Sequence, residues 1–233
     1  MNAVITGASR GLGKSVALFL AEKGFNLHLI ASKMESLNAV KKEVSSQFEV
    51  EVHTYACDFS VSSNTAQLGA KLADSLNSIE LLINNTGAFE FGSLTQTNTD
   101  QLSKLINVNV MGAFNISNAL LPMLKTQQKG HVFNIGSIVT EHPRKDIAAY
   151  TISKFALKGY TQVLRDELKD AHVKVTEIVP GSINTSSWDG VEDVPKNDFI
   201  QPQELVDAIW MCYRNTAASN IESFVIRPLN RDF

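Results

Sequence analysis

The chain has 233 residues, 44% hydrophobic and 19% charged, with a formal net charge of −3. So much apolar material excludes a disordered chain, and without a basic excess nucleic acid is excluded as the principal partner. Cys57 and Cys212 are the two cysteines, too few for a disulfide framework.

Ala3–Thr6 is a short apolar run that ends in a glycine loop, and Ser15–Lys23 carries helical spacing through Val16, Leu18, Phe19 and Leu20. Asn26–Ala31 reads as a strand, Met34–Ser46 as a polar helix and Val50–Ala56 as another strand. A helix over Thr65–Leu76 precedes the strand Leu81–Asn84. One long helix from about Asp100 to Leu124 leads to the strand His131–Ile135, and a helix over Ile147–Asp170 leads to the strand Lys174–Val179. After an irregular stretch, Pro202–Arg214 is a helix and Ser223–Ile226 a last strand. Strands separated by single helices predict right-handed crossovers, hence an α/β fold: a doubly wound parallel sheet of about seven strands with helices on both faces. No repeat or linker divides the chain, so one domain is expected over residues 1–233. The uncharged stretch Leu105–Leu124 holds Asn107, Asn109, Asn115, Ser117, Asn118 and Pro122, too polar for a lipid-facing helix. No basic segment precedes the apolar run at Met1–Thr6, so a cytoplasmic protein without a membrane partner is expected.

The first chemical signal is Thr6-Gly7-Ala8-Ser9-Arg10-Gly11-Leu12-Gly13, at the first strand-to-helix junction. Glycines there let the backbone approach a pyrophosphate, and the helix N-terminus supplies N–H groups and positive dipole. The second is Tyr150-Thr151-Ile152-Ser153-Lys154, which puts a phenol and an ammonium on one helical face. A nearby cation favours the phenolate and is expected to lower the tyrosine pKa toward working pH. Chance alone gives about 0.26 such pairs in a chain of this composition, and requiring a serine 13 positions earlier, here Ser137, lowers that to about 0.02. The end of the second strand reads Ala31-Ser32-Lys33, a hydroxyl and an ammonium where an NAD-selective enzyme carries an acid. With Arg10 in the glycine loop, two cations there would attract a 2′-phosphate, which favours NADP(H).

The spacing Gly-x-x-x-Gly-x-Gly resembles that of the short-chain dehydrogenase/reductase family, and further matches run to about residue 185. Asp58 resembles the family's adenine-contacting acid, and Asn84-Asn85-Thr86-Gly87 its Asn-Asn-Ala-Gly signature with threonine for alanine. Asn109 matches the catalytic asparagine, and Pro180-Gly181-Ser182-Ile183-Asn184-Thr185 the segment whose threonine meets the nicotinamide amide. The resemblance implies a Rossmann-type domain with Asn109, Ser137, Tyr150 and Lys154 as catalytic groups. Tyr150 would be the general acid, Ser137 the donor that holds the carbonyl oxygen, Lys154 the ribose contact, and Asn109 the holder of a relay water. It also implies cofactor contacts at Gly7, Ser9, Arg10, Gly11, Leu12, Gly13, Ser32, Lys33, Asp58, Asn85, Thr86, Gly87, Tyr150, Lys154, Pro180, Gly181, Ile183 and Thr185.

The expected activity is NADPH-dependent reduction of a small-molecule carbonyl to an alcohol, with a 3-oxoacyl thioester and a small metabolite both open as substrates. A carrier-protein substrate would need cations beside the site, for which Lys125, Lys129 and Arg165 are candidates; His142 or Arg144 could meet an anionic substrate. Residues 180–202 form the expected substrate loop, in which Trp188 and Phe199 either close a lid or anchor the segment. The helices over 100–124 and 147–170 are expected to pair copies into a homodimer or homotetramer. The five histidines lack metal-ligand spacing, so no metal is expected. The competing reading is a non-catalytic NADP(H)-binding sensor or scaffold, against which a complete set of proton-transfer residues argues.

Overall fold

The computed structural model describes residues 1–189, 196–216 and 218–230. Its strands are β1 (Asn2–Thr6), β2 (Asn26–Ala31), β3 (Val52–Ala56), β4 (Leu81–Asn84), β5 (His131–Ile135), β6 (Lys174–Pro180) and β7 (Ser223–Ile226). They form one seven-stranded sheet in the order β3-β2-β1-β4-β5-β6-β7, parallel throughout. The helices are α1 (Gly11–Glu22), α2 (Met34–Ser45), α3 (Ser62–Ser75), α4 (Thr99–Ile106), α5 (Gly112–Gln127), α6 (Ala148–Leu168) and α7 (Pro202–Arg214).

Successive strand residues point to opposite faces, so a sheet covered on both sides needs continuous apolar runs. In β1, Ala3 and Ile5 join one core with Leu20 of α1, Leu37 of α2 and Ile209 of α7. Val4 faces the other way, into a core with Leu72 of α3, Leu120 of α5 and Leu164 of α6. The order reverses between β1 and β4: the chain runs outward to β3, then returns to pair β4 with β1. Crossovers diverge there and open a crevice at the carboxyl ends of the strands, which positions the site.

The elements follow the sequence pattern, with three instructive differences. α1 begins at Gly11 rather than Ser15, because Gly11 and Gly13 are weak helix formers that hide its first turn. α3 begins at Ser62 rather than Thr65, with its first residues held from α5 by Asn115 Nδ2, which donates to Ser62 O at 3.0 Å and Thr65 Oγ1 at 2.8 Å. The long helix expected over 100–124 is two helices joined by a π-helical turn, Asn107–Met111. At the junction the Phe59 ring occupies the space that a side chain on Gly112 would fill; a Cβ there would lie 2.3 Å from Phe59 Cδ1. The wide turn aims Asn109 inward, leaving it 1% exposed. Among the described residues, no helix is long and apolar enough to cross a membrane.

Two histidines are buried in the sheet. Burial, helped by the neighbouring His53, lowers the His28 pKa to about 4 against an opposing pull from Glu51. Burial and Lys174 lower that of His131 to about 2. A folded pKa below the unfolded value means that the unfolded chain binds more protons, so stability is complete above about 6.5 and is lost as pH falls through that value. Urea midpoints are expected to drop between pH 7.5 and 5, with each histidine contributing roughly 1.4 kcal/mol per pH unit below 6.5. His131→Asn should reduce that slope, and a pH-independent midpoint would contradict the assignment.

Candidate active site

The crevice walls are joined by side chains bonded to backbone. Thr6 Oγ1, at the end of β1, accepts from the N–H groups of Asn85 at 3.0 Å and Thr86 at 2.9 Å. Asn85 Nδ2 returns bonds to Thr6 O at 3.0 Å and Gly7 O at 3.2 Å. Above them the glycine loop turns through left-handed backbone at Gly7 (φ 67°) and Gly11 (φ 53°). Gly13 opens α1 so close to the loop that a Cβ on it would lie 2.2 Å from Gly7 O. This cradle leaves room for a phosphate backbone and for nothing bulkier than hydrogen at Gly13. Two buried hydroxyl oxygens, Thr86 Oγ1 and Ser186 Oγ, have no hydrogen-bond partner among the described residues. Unpaired buried polar atoms beside a glycine cradle fit a polar ligand such as a dinucleotide.

The other expected contact residues surround the same crevice. Ala8 N–H donates to Ile30 O at 3.0 Å, tying the glycine loop to β2. Arg10, Ser32 and Lys33 are exposed beyond that junction, with Arg10 preceding α1 and Lys33 preceding α2. Asp58 Oδ1 accepts from Ser60 N at 2.9 Å and Ser60 Oγ at 2.7 Å, and these bonds hold its carboxyl below the usual range. Past Pro180, Gly181 N–H donates to Ile226 O at 2.8 Å, and Ile183 bridges to Ile200. Thr185 then lies over the glycine loop, its Cγ2 3.1 Å from where a Cβ on Gly11 would be. Residues 190–195 of the expected substrate loop lie outside the described residues.

The catalytic candidates converge beyond β5. Ser137 follows Gly136 in extended backbone and caps a short 3₁₀ turn, Ile138–Thr140. Tyr150 lies in the first turn of α6, with the Ser137 side chain close enough to favour its charged form. Lys154, one turn on, is 4% exposed; its Nζ donates to Ile135 O at 2.8 Å and sits 5.7 Å from the Tyr150 ring centroid. Burial lowers the Lys154 pKa to about 8, against the field of Glu177. The Tyr150 pKa is raised, not lowered as the Tyr-x-x-x-Lys spacing suggested: burial dominates, and the Ser137 side chain only opposes it. These shifts favour an ammonium on Lys154 and an intact phenol on Tyr150 at neutral pH.

Asn109 reaches the same cluster from the π turn. Its Oδ1 accepts from Ala88 N at 2.7 Å, and its Nδ2 donates to Ala88 O at 3.0 Å and Ser153 Oγ at 2.8 Å. Ser153 Oγ donates in turn to Tyr150 O at 2.7 Å. Both amide protons of Asn109 are thus used, which leaves the side chain as a tie and not as the donor to a relay water. Thr6 and Ser153 carry no sequence signal beyond the motifs that contain them, and both proved to join parts of the site.

The mouth is aromatic, which the sequence reading missed. Phe89 packs edge-on against Tyr150 (centroids 5.2 Å, 74°) and meets Phe91 at 4.9 Å and Trp188 at 6.2 Å. The Phe-x-Phe that follows Gly87-Ala88 is the available signal. Trp188 Nε1 donates to Ile183 O at 3.0 Å and its ring touches buried Phe199 at 5.2 Å, so both expected aromatics of the loop are packed together. Lys125 pairs with Glu167, Lys129 with Glu80 at 3.4 Å, and Arg165 Nε donates to Val175 O at 3.0 Å. These three lie by the starts of β4, β5 and β6, the opposite end of the sheet from Tyr150, because strand ends and not sequence proximity decide what borders the site.

Thr6→Val keeps shape and removes the acceptor for two backbone N–H groups. It is expected to cost about 2 kcal/mol or more in urea unfolding. A loss within error of zero would show that the two loops hold without this oxygen.

A sequence profile described as short chain dehydrogenase matches residues 1–194. The chain is 30% identical over 227 residues to an uncharacterized oxidoreductase of Staphylococcus epidermidis, covering 97% of this chain and 96% of that protein. It is 25% identical over 235 residues to the sepiapterin reductase of Chlorobaculum tepidum, covering 98% and 96%. Its fold is similar to the crystal structure of a metagenomic short-chain oxidoreductase in complex with NADP, at a TM-score of 0.85 and 29% identity, covering 99% and 98%. With the glycine cradle and the Ser137–Tyr150–Lys154 cluster on one parallel sheet, these matches show that the chain belongs to the short-chain dehydrogenase/reductase family of oxidoreductases.

Proposed function

We propose that the protein is an NADPH-dependent carbonyl reductase that converts a ketone to an alcohol. What supports this reading is the grouping of Ser137 and Tyr150 with the buried Lys154 at the end of β5, where burial raises the tyrosine pKa and so favours its protonated form. The dinucleotide would be held by Gly7, Ser9, Gly11, Leu12 and Gly13 at its pyrophosphate, by Asp58 at its adenine, and by Asn85, Thr86, Gly87, Pro180, Gly181, Ile183 and Thr185 toward its nicotinamide end. Arg10, Ser32 and Lys33 would take the 2′-phosphate. Bound NADPH supplies the hydride.

The chain's own residues supply the rest. Ser137 donates a hydrogen bond to the substrate oxygen and steadies the charge that develops there. Tyr150 transfers its phenolic proton to that oxygen as the alcohol forms. Lys154 has used one of three N–H donors on Ile135 O, and the other two are available for the nicotinamide ribose hydroxyls. Its charge stabilises the phenolate left on Tyr150. Asn109 holds the Ala88 loop and the first turn of α6 in register through Ser153, and so acts as a positioning residue. Exposed Phe114 on α5 and Ile152, Phe155 and Val163 on α6 support pairing of two copies through these helices, which light scattering reads directly.

Tyr150→Phe should lower ketone turnover by about 10²–10⁴-fold and leave NADPH binding nearly unchanged. NADPH should bind more tightly than NADH, with a preference that shrinks as salt rises. Substantial residual turnover in Tyr150→Phe would contradict the assignment of the acid, and equal kcat/KM for both cofactors would contradict the role given to Arg10 and Lys33.

A further inference from the structure

The rings and charges around Tyr150 point to the kind of carbonyl compound the site takes. Resting on the carbonyl-reductase reading, we propose that the substrate is a small neutral ketone bearing a flat ring, held by Phe89 and Trp188, and not an acyl thioester on a carrier protein.

Phe91, Phe89 and Tyr150 form a chain of edge-on contacts at 4.9 and 5.2 Å, and Trp188 borders Phe89 from the facing segment. The wall is anchored from behind, because Trp188 rests on buried Phe199 and its indole N–H is bonded to backbone. Its front is open: Phe89 is 39% exposed and Phe91 56%. Large apolar rings left in water beside a proton donor are surface that the apolar part of a substrate covers favourably. A pre-formed array of aromatic faces and edges favours a flat ring over a puckered one of equal size.

The charges around the mouth do not call for an anion. Arg144 Nε donates to Asp146 Oδ1 at 3.1 Å, and Arg227 contacts His142 at 3.0 Å. Lys158 pairs with Glu141 at 2.6 Å and Lys104 with Glu90 at 2.6 Å. Lys145 is exposed and shares the field of Asp146. An anionic substrate that drew on Arg144, Lys158 or Lys104 would have to displace Asp146, Glu141 or Glu90, whereas a neutral ring ketone leaves these pairs in place. Lys125, Lys129 and Arg165, the cations a carrier protein would need, lie at the opposite end of the sheet.

The test uses phenylacetone and cyclohexylacetone, which carry the same methyl ketone on a flat or a puckered ring, and acetoacetyl-CoA as an anionic acyl thioester. With NADPH, kcat/KM for phenylacetone is expected to exceed that for cyclohexylacetone by on the order of tenfold, with acetoacetyl-CoA the poorest. Phe89→Leu and Trp188→Leu keep apolar bulk and should bring the phenyl-to-cyclohexyl ratio toward one. Calorimetric titration of NADP⁺-loaded Tyr150→Phe with the two ketones reads the same preference without turnover. A ratio near one by either method, a preference that survives both leucine variants, or acetoacetyl-CoA as the best substrate would overturn the proposal. No turnover of any of the three compounds, with the ring preference intact in the titration, would sink the carbonyl-reductase reading alone and uphold the ring site.

Discussion

The catalytic end of this protein is organised around one buried ammonium. Lys154 is 4% exposed and makes a direct bond to Ile135 O at the end of β5. Taking a cation out of water is costly, and the field of Glu177 offsets part of that cost without cancelling it, so the lysine pKa falls to about 8. The same low-dielectric surroundings raise the pKa of Tyr150, since a phenolate is also a charge. Two groups of opposite type are thereby pushed in opposite directions, and the lysine loses its proton before the tyrosine does. At neutral pH the phenol is intact beside a cation, ready to give its proton to an oxygen that is gaining charge.

Holding that pair in place falls to short polar side chains bonded to backbone. Thr6 ties the end of β1 to the loop after β4, Asn109 ties that loop to α6, and Ser153 passes the tie to the carbonyl of Tyr150. Each bond contributes only about 1 kcal/mol net, but each also satisfies a group whose burial unpaired would cost more. The glycine loop and Tyr150 are therefore parts of one bonded unit. The aromatic wall grows from the loop after β4: Phe89 follows Ala88, which Asn109 holds, and packs edge-on against Tyr150.

Much of this was legible in the sequence for identifiable reasons. The sheet reads clearly because strands covered on both faces tend to be continuous apolar runs, as in Ala3–Ile5 and Leu81–Ile83. Tyr150 and Lys154 read clearly because four residues along a helix is a fixed geometry. Asn109 could be picked out but its work could not, because a π turn has no pattern of its own and the bond to Ser153 joins positions 44 residues apart. The direction of the Tyr150 shift was misread because a neighbouring charge is visible in a motif and burial is not. Phe89 and Phe91 cannot be told from core aromatics in a sequence, and the place of Lys129 at the far end of β5 is set only by folding.

The protonation order of Lys154 and Tyr150 can be measured with no substrate in hand. Tyrosinate absorbance near 295 nm, recorded through alkaline titration of the wild type and Tyr150→Phe, isolates Tyr150 in the difference. The phenolate of Tyr150 should be absent between pH 7 and 9 and appear only above the ordinary tyrosine range, after Lys154 has lost its proton at about 8. A Tyr150 phenolate already formed near pH 7–8 would contradict the account.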